Sequence, residues 1–244
     1  MSQLPPGRLV GSGRNADVYD IGGGRVLRRY RDGRAPAGVA AEATVMAHAR
    51  AHGVPVPEVF EVTGSDIVME RAAGPTMLDE LSRRPWTAGR SARQLAGLHA
   101  LVHAAPALDW LPAPFGVDGS GGAGGDQVLL HRDLHPLNVI MTTGGPRIID
   151  WEGAARGPAL ADVAMTWVII GFSQAPGSRL RALATRPLQA LFARDFLRAA
   201  GAAVPVDRVL MESAVRLRLR DGNLLPPEKA RLERLQRSGR IPGR

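Results

Sequence analysis

The residues with the most chemistry in this chain lie in one run, His131-Arg132-Asp133-Leu134-His135-Pro136-Leu137-Asn138, followed after twelve residues by Asp150-Trp151-Glu152. Apolar runs flank the segment: Val128-Leu129-Leu130 before it and Val139-Ile140-Met141 after it. A third run, Ile148-Ile149, delivers Asp150. Asp133, Asn138 and Asp150 thus sit at strand edges. Hard cations take oxygen ligands and a free carboxylate can receive a proton, so the trio suits a magnesium–nucleotide site. Taken singly, each residue is explained as a loop cap or a strand end. Spacing and flanking strands together favour one functional constellation.

The rest of the chain reads as the scaffold for this cluster. Leu9-Val10 leads into Gly11-Ser12-Gly13-Arg14-Asn15-Ala16-Asp17, then Val18-Tyr19-Asp20-Ile21, a Gly22-Gly23-Gly24 turn and Arg25-Val26-Leu27-Arg28. This is strand, glycine loop, strand, turn, strand. Gly11 and Gly13 let the backbone approach a polyphosphate and present N–H groups to it. A plain hairpin explains the same glycines equally well. Ala37 to Ala51 predicts a helix that carries Glu42 and stops at Gly53. Val59–Val62 and Ile67–Glu70 predict two strands around Gly64-Ser65, and Ala72-Ala73-Gly74 predicts a hinge.

Beyond that point helices dominate. They are expected at Thr76–Leu81, Ser91–Ala104, Leu160–Phe172, Arg179–Ala200 with a break at Pro187, Asp207–Arg220 and Pro227–Arg237. Asp162 sits near a helix N-terminus, where a carboxylate suits the helix dipole. His99 and His103 are four apart, a metal-ligand spacing, but no acidic residue lies near them in sequence. A packed helix face is therefore preferred to zinc. Gly116 to Gly125 reads as a surface loop.

Composition narrows the function classes. The 244 residues are 45% hydrophobic, which suits a soluble globular protein of one domain or two small lobes. No apolar run approaches a membrane span; the best is about ten residues, Val163 to Phe172. The N-terminus lacks a signal pattern, so a cytoplasmic location is expected. There is no cysteine, which excludes disulfides and thiol chemistry. Residues 1–150 carry 15 Lys+Arg and 15 Asp+Glu; residues 151–244 carry 16 and 8, so the +8 lies in the C-terminal part. Its arginines lack interleaved aromatics for stacking bases, which makes nucleic-acid binding the weakest reading.

With these residues in view, the chain resembles the aminoglycoside phosphotransferase family, which shares a protein-kinase-like fold with choline kinases. The resemblance covers Gly11–Tyr19, Arg25–Arg28, Glu42, Ile67–Gly74, Leu95–His99, His131–Ile140, Ile148–Glu152 and Pro158–Ala164. Asp-Leu-His-Pro-x-Asn followed by Ile-Asp-Trp is its most specific part. The resemblance implies an α+β bilobal fold. Residues 1–73 would form a nucleotide-binding lobe with a small antiparallel sheet and one helix. Residues 74–244 would form a mainly helical lobe with the catalytic loop and acceptor site.

The resemblance further implies a small-molecule kinase that moves the γ-phosphate of ATP to a hydroxyl, with GTP the alternative nucleotide. Asp133 would accept or orient the hydroxyl proton. Asn138 and Asp150 would hold Mg²⁺ across the phosphates. Arg28 would stand where the family has a strand lysine, with Glu42 fixing its rotamer. Gly11, Ser12 and Gly13 would cover the phosphates. Met69 and Glu70, within Val68–Arg71, would frame the adenine edge. His135 would stabilise the loop. The partner implied is a hydroxyl-bearing acceptor, an antibiotic such as an aminoglycoside or a metabolite, with no membrane and no obligate protein partner.

Three departures define the alternatives. The N-terminal lobe has no lysine, which motivates a non-catalytic nucleotide-binding module. Arg132 stands where small-molecule kinases often have Gly and protein kinases have Arg, which motivates a protein kinase. Asp150-Trp151-Glu152 replaces Asp-Phe-Gly, and only about eight residues separate Asp150 from Pro158, which leaves no room for an activation loop. The basic C-terminal part also argues against a polycationic acceptor, although local carboxylates such as Glu152, Asp162, Glu212 or Asp221 would suffice for one.

Overall fold

A computed structural model describes residues 7–13, 15–31, 36–115, 127–173, 179–201, 207–222 and 224–242; the Gly116–Gly125 stretch lies outside them. In chain order the elements are β1 (Arg8–Ser12), β2 (Ala16–Gly22), β3 (Arg25–Tyr30), α1 (Pro36–Ala51), β4 (Val59–Thr63), β5 (Asp66–Glu70), α2 (Met77–Arg83), α3 (Ala88–Ala104), β6 (Val128–Leu130), β7 (Val139–Thr142), β8 (Gly145–Ile148), β9 (Ala155–Gly157), α4 (Ala159–Phe172), α5 (Arg179–Gly201), α6 (Arg208–Leu219) and α7 (Pro226–Ser238). They divide into two compact units: Met1–Pro75 with Val139–Glu152, and Thr76–Asn138 with Gly153–Arg244.

The first unit is built on an antiparallel five-stranded sheet of order β1-β2-β3-β5-β4. Gly22, Gly23 and Gly24 turn β2 into β3 with φ of 81°, 59° and 71°. L-residues with a Cβ are strained in that region, so a run of glycines is what the turn requires. Leu27 and Ile67, at the centre of the sheet, are fully buried, and so are Val39 and Ala49 on α1. The β7–β8 hairpin belongs to this unit because its backbone is tied there. Met141 N–H donates to the Pro75 carbonyl and Ile148 N–H to the Pro55 carbonyl, both at 2.8 Å.

The second unit is mainly helical. Thr76 and Asp79 close a reciprocal capping box on α2, and the Asp207 carboxylate caps α6 through Val209 and Leu210 N–H. Helix α4 is apolar on nearly every side and is buried as such a helix must be. Ala164, Met165 and Val168 on α4 pack with Met211, Ala214 and Val215 on α6 and with Leu232 on α7. Helix α5 continues through the expected break. Pro187 lies inside it with its ring exposed, so its missing hydrogen bond does not end the helix. Among the described residues, no helix is long and apolar enough to cross a membrane.

Candidate active site

Strand β6 enters the 131–138 segment, and β9 pairs with it antiparallel, Leu130 against Ala155. The chain then turns sharply at Arg132, whose φ is 67°. Glycine would adopt that value without strain. The turn is held from α4. Asp162 is fully buried, and its Oδ1 accepts Arg132 N–H at 2.6 Å while Oδ2 accepts His131 N–H at 3.0 Å. His103 Nε2 lies 3.2 Å from the same Oδ2. Burial pushes the Asp162 carboxyl up, but the nearby His103 and His99 rings outweigh it and hold the group well below the usual range. Burial pulls His103 down, and it wins over the upward pull of Asp162.

Asp133 follows with its side chain 41% exposed. Asn138 Nδ2 donates to the Asp133 backbone carbonyl at 2.9 Å and to Oδ2 at 3.0 Å. The five-residue spacing read from the sequence is therefore a direct contact. His135 Nε2 lies 3.5 Å from Asp133 Oδ1. Burial raises the Asp133 carboxyl, but His135, His131 and Arg218 bring it below its ordinary value. Asp133 thus presents an ionised carboxylate held in one orientation by Asn138.

In the first unit, three expected residues meet. Arg28 Nη1 donates to Glu42 Oε1 at 2.8 Å, and Nη2 donates to Asp150 Oδ1 at 2.7 Å. Glu42 also accepts the Tyr30 hydroxyl. Burial works against the Arg28 charge, yet Glu42 and Asp150 more than offset it and push the group above its ordinary value. A lysine ammonium is a compact point charge; the guanidinium fork reaches both carboxylates at once. Asp150 itself has a φ of 67°.

The remaining expected residues lie elsewhere in that unit. Gly11 and Ser12 end β1, and Gly13 N–H closes the turn on the Ala16 carbonyl at 2.8 Å. Ser12 Oγ donates to Asp17 at 2.6 Å and accepts Arg31 at 2.7 Å, so its hydroxyl serves the hairpin. Arg14 lies outside the described residues. Asn15 donates to both carboxylate oxygens of Glu152 at 3.0 Å. Met69 is buried on β5 opposite Val26, and Glu70 pairs with Arg147 at 3.6 Å. The N–H groups of Glu70 and Arg71 donate to the Glu58 and Gly24 carbonyls, so these two donors are used within the unit.

The sequence presents Asp162 as a helix-dipole residue and as one of several local carboxylates for a cationic acceptor, and does not reveal its hold on the loop. A signal existed: a carboxylate among Leu160, Ala161, Val163 and Ala164 has to be buried, and a buried carboxylate needs partners. The acid that spacing alone did not supply to His99 and His103 is this same residue.

A phosphotransferase enzyme family model matches residues 6–118 and 107–210. A thiamine kinase of Salmonella paratyphi B is 44% identical over 39 residues, which is 16% of this chain and 14% of that protein's length. Among solved structures, a thermostable mutant of the aminoglycoside phosphotransferase APH(4)-Ia superimposes with a TM-score of 0.62 at 19% identity, covering 95% of this chain and 94% of that one. A choline/ethanolamine kinase family protein from Mesorhizobium loti gives 0.56 at 16%, covering 96% and 86%. At these identities the likeness is one of fold, and that fold is the kinase-like one. The family model spans more than half of the chain, and the chain belongs to the phosphotransferase enzyme family.

Proposed function

We propose that this chain transfers the γ-phosphoryl group of ATP to a hydroxyl of a small molecule, with Asp133 receiving or orienting the hydroxyl proton. The observation that carries the reading is the Asp133–Asn138 contact at 3.0 Å. It fixes an ionised carboxylate at the tip of a loop whose backbone is anchored on a buried acid. Phosphoryl transfer passes through a loose transition state, so orientation and charge neutralisation matter more than base strength. An Asp133 carboxyl below its ordinary value fits that demand.

The donor chemistry fits Mg²⁺. Asn138 uses its amide nitrogen on Asp133, which leaves the amide oxygen Oδ1 for a cation. Asp150 gives one oxygen to Arg28 and retains a second. Both are hard oxygen donors, and we assign Asn138 and Asp150 as the ligands. Bound there, the ion would neutralise phosphate charge. Arg28, positioned by Glu42, is assigned to the nucleotide phosphates. Gly11, Ser12 and Gly13 are assigned to cover them, and the segment holding Met69 and Glu70 to flank the adenine. An APH(4)-Ia mutant is known in ternary complex with ADP and hygromycin B, and another with AMP-PNP, which supports nucleotide use.

The acceptor is a hydroxyl-bearing metabolite or antibiotic. The +8 of residues 151–244 disfavours a polycation such as an aminoglycoside. A cytoplasmic site of action accords with an ATP substrate. The test is a screen of alcohols, sugars, amino alcohols and antibiotics for ADP release with Mg-ATP. Acceptor-dependent, EDTA-sensitive release is expected. Nucleotide binding without transfer to any acceptor would favour a non-catalytic module.

A further inference from the structure

Helices α3 and α4 present two polar residues each, four positions apart: His99 and His103, Asp162 and Thr166. The Thr166 hydroxyl lies 2.7 Å from the Leu134 carbonyl oxygen and 3.1 Å from His99 Nε2. A carbonyl only accepts, so the single hydroxyl proton belongs to Leu134. His99 Nε2 must then donate its own N–H to Thr166 Oγ1. The other ring nitrogen, Nδ1, is buried without a hydrogen-bond partner and lies 3.6 Å from Asp162 Oδ2. A neutral ring would point a lone pair at a carboxylate that no solvent reaches. In a low-dielectric interior that juxtaposition is repulsive, whereas a proton on Nδ1 makes it attractive.

We propose that His99 is a positioning residue of the phosphotransfer loop, held as a buried imidazolium with Nε2–H on Thr166 and Nδ1–H toward Asp162. Its two partners grip the loop on either side of Asp133. Asp162 accepts the N–H groups of His131 and Arg132, and Thr166 donates to Leu134. One charged ring therefore orients both grips.

The surroundings are consistent with a single charge. On α3, His103 approaches the same Asp162 oxygen, and burial holds it below its ordinary value. From the loop come His131, through its N–H, and Arg132, whose charge faces Asp162. From α5 comes the Phe196 ring, 5.3 Å from the His99 ring centre.

The proposal rests on Asp133 being the acceptor-side carboxylate, and its test separates the two claims. Nitrogen-15 NMR of histidine-labelled protein at about pH 7, with His99→Gln for assignment, reads the ring directly. Both nitrogens of His99 protonated is the expected result. A neutral ring overturns the proposal. So does a transition metal retained at one equivalent through EDTA dialysis, because the donor atoms of His99, His103 and Asp162 lie within 4.8 Å of one another. His99→Gln keeps a donor for Thr166 but has no charge. Its kcat should fall roughly tenfold with nucleotide KM nearly unchanged. A variant with the parent's kcat would overturn the positioning role. An inactive wild type with a charged His99 would count against the Asp133 assignment alone.

Discussion

The Asp162 carboxylate, reached by no solvent, accepts the backbone N–H of Arg132 at 2.6 Å, and Arg132 is held at a φ of 67°. A left-handed conformation costs a non-glycine residue about 1–2 kcal/mol. A charge-assisted hydrogen bond from a rigid helix offsets that cost and sets where Asp133 points. The geometry of the 131–138 loop is thus imposed from α4.

Replacing Asp162 tests this. Asp162→Asn puts an amide nitrogen among N–H donors and removes the buried charge. It should destabilise the protein by about 3–5 kcal/mol, read by denaturant melts. The pH dependence carries a sign. The Asp162 carboxyl is depressed in the folded state, so its contribution is present above the ordinary aspartate value of about 4 and is lost as pH falls through the folded value. Wild-type stability should drop below about pH 4, and the variant's acid slope should be shallower. Equal slopes would show that Asp162 is not the linked group.

Arg28 should resist conservative replacement. Its fork holds Glu42 at 2.8 Å and Asp150 at 2.7 Å together. Arg28→Lys keeps the charge but cannot span both, so nucleotide KM should rise about tenfold with a modest loss of stability. Arg28→Met leaves the buried Glu42 without its cation and should cost about 3 kcal/mol or more. An unchanged KM in the lysine variant would remove Arg28 from the phosphate-binding assignment.

Arg132→Gly should fold as well as the parent or better. Glycine adopts the required φ without strain, and the buried Arg132 Nε has no hydrogen-bond partner to lose. The larger chain entropy of glycine when unfolded limits the gain to about 1 kcal/mol. A thermal melt decides it; a fall of several degrees would mean that the Arg132 contact with the Gly153 carbonyl matters more than the turn.

The parts of this molecule that could be read from the sequence are those whose chemistry is local. Gly22-Gly23-Gly24 announces a turn, and the helices expected from Thr76 and from Asp207 do begin there, with those two residues as the caps. Asp133 and Asn138 are five apart, and their contact follows from that spacing. Asp162 was opaque for the opposite reason. Its partners are backbone N–H groups about thirty positions away, and backbone donors leave no mark on residue identity. The His99 and His103 spacing was visible, but their acid comes from another helix. Pro187 misled because an exposed ring can ride on a helix held by its other residues.

The central claim is that Asp133 carries the transfer. With an acceptor found by the screen, the decisive measurement is Mg-ATP turnover by Asp133→Asn alongside its melting temperature. Loss of a positioned proton acceptor should lower kcat by about 10² or more, with nucleotide KM and melting temperature close to those of the parent. Turnover at the parent rate would contradict the account.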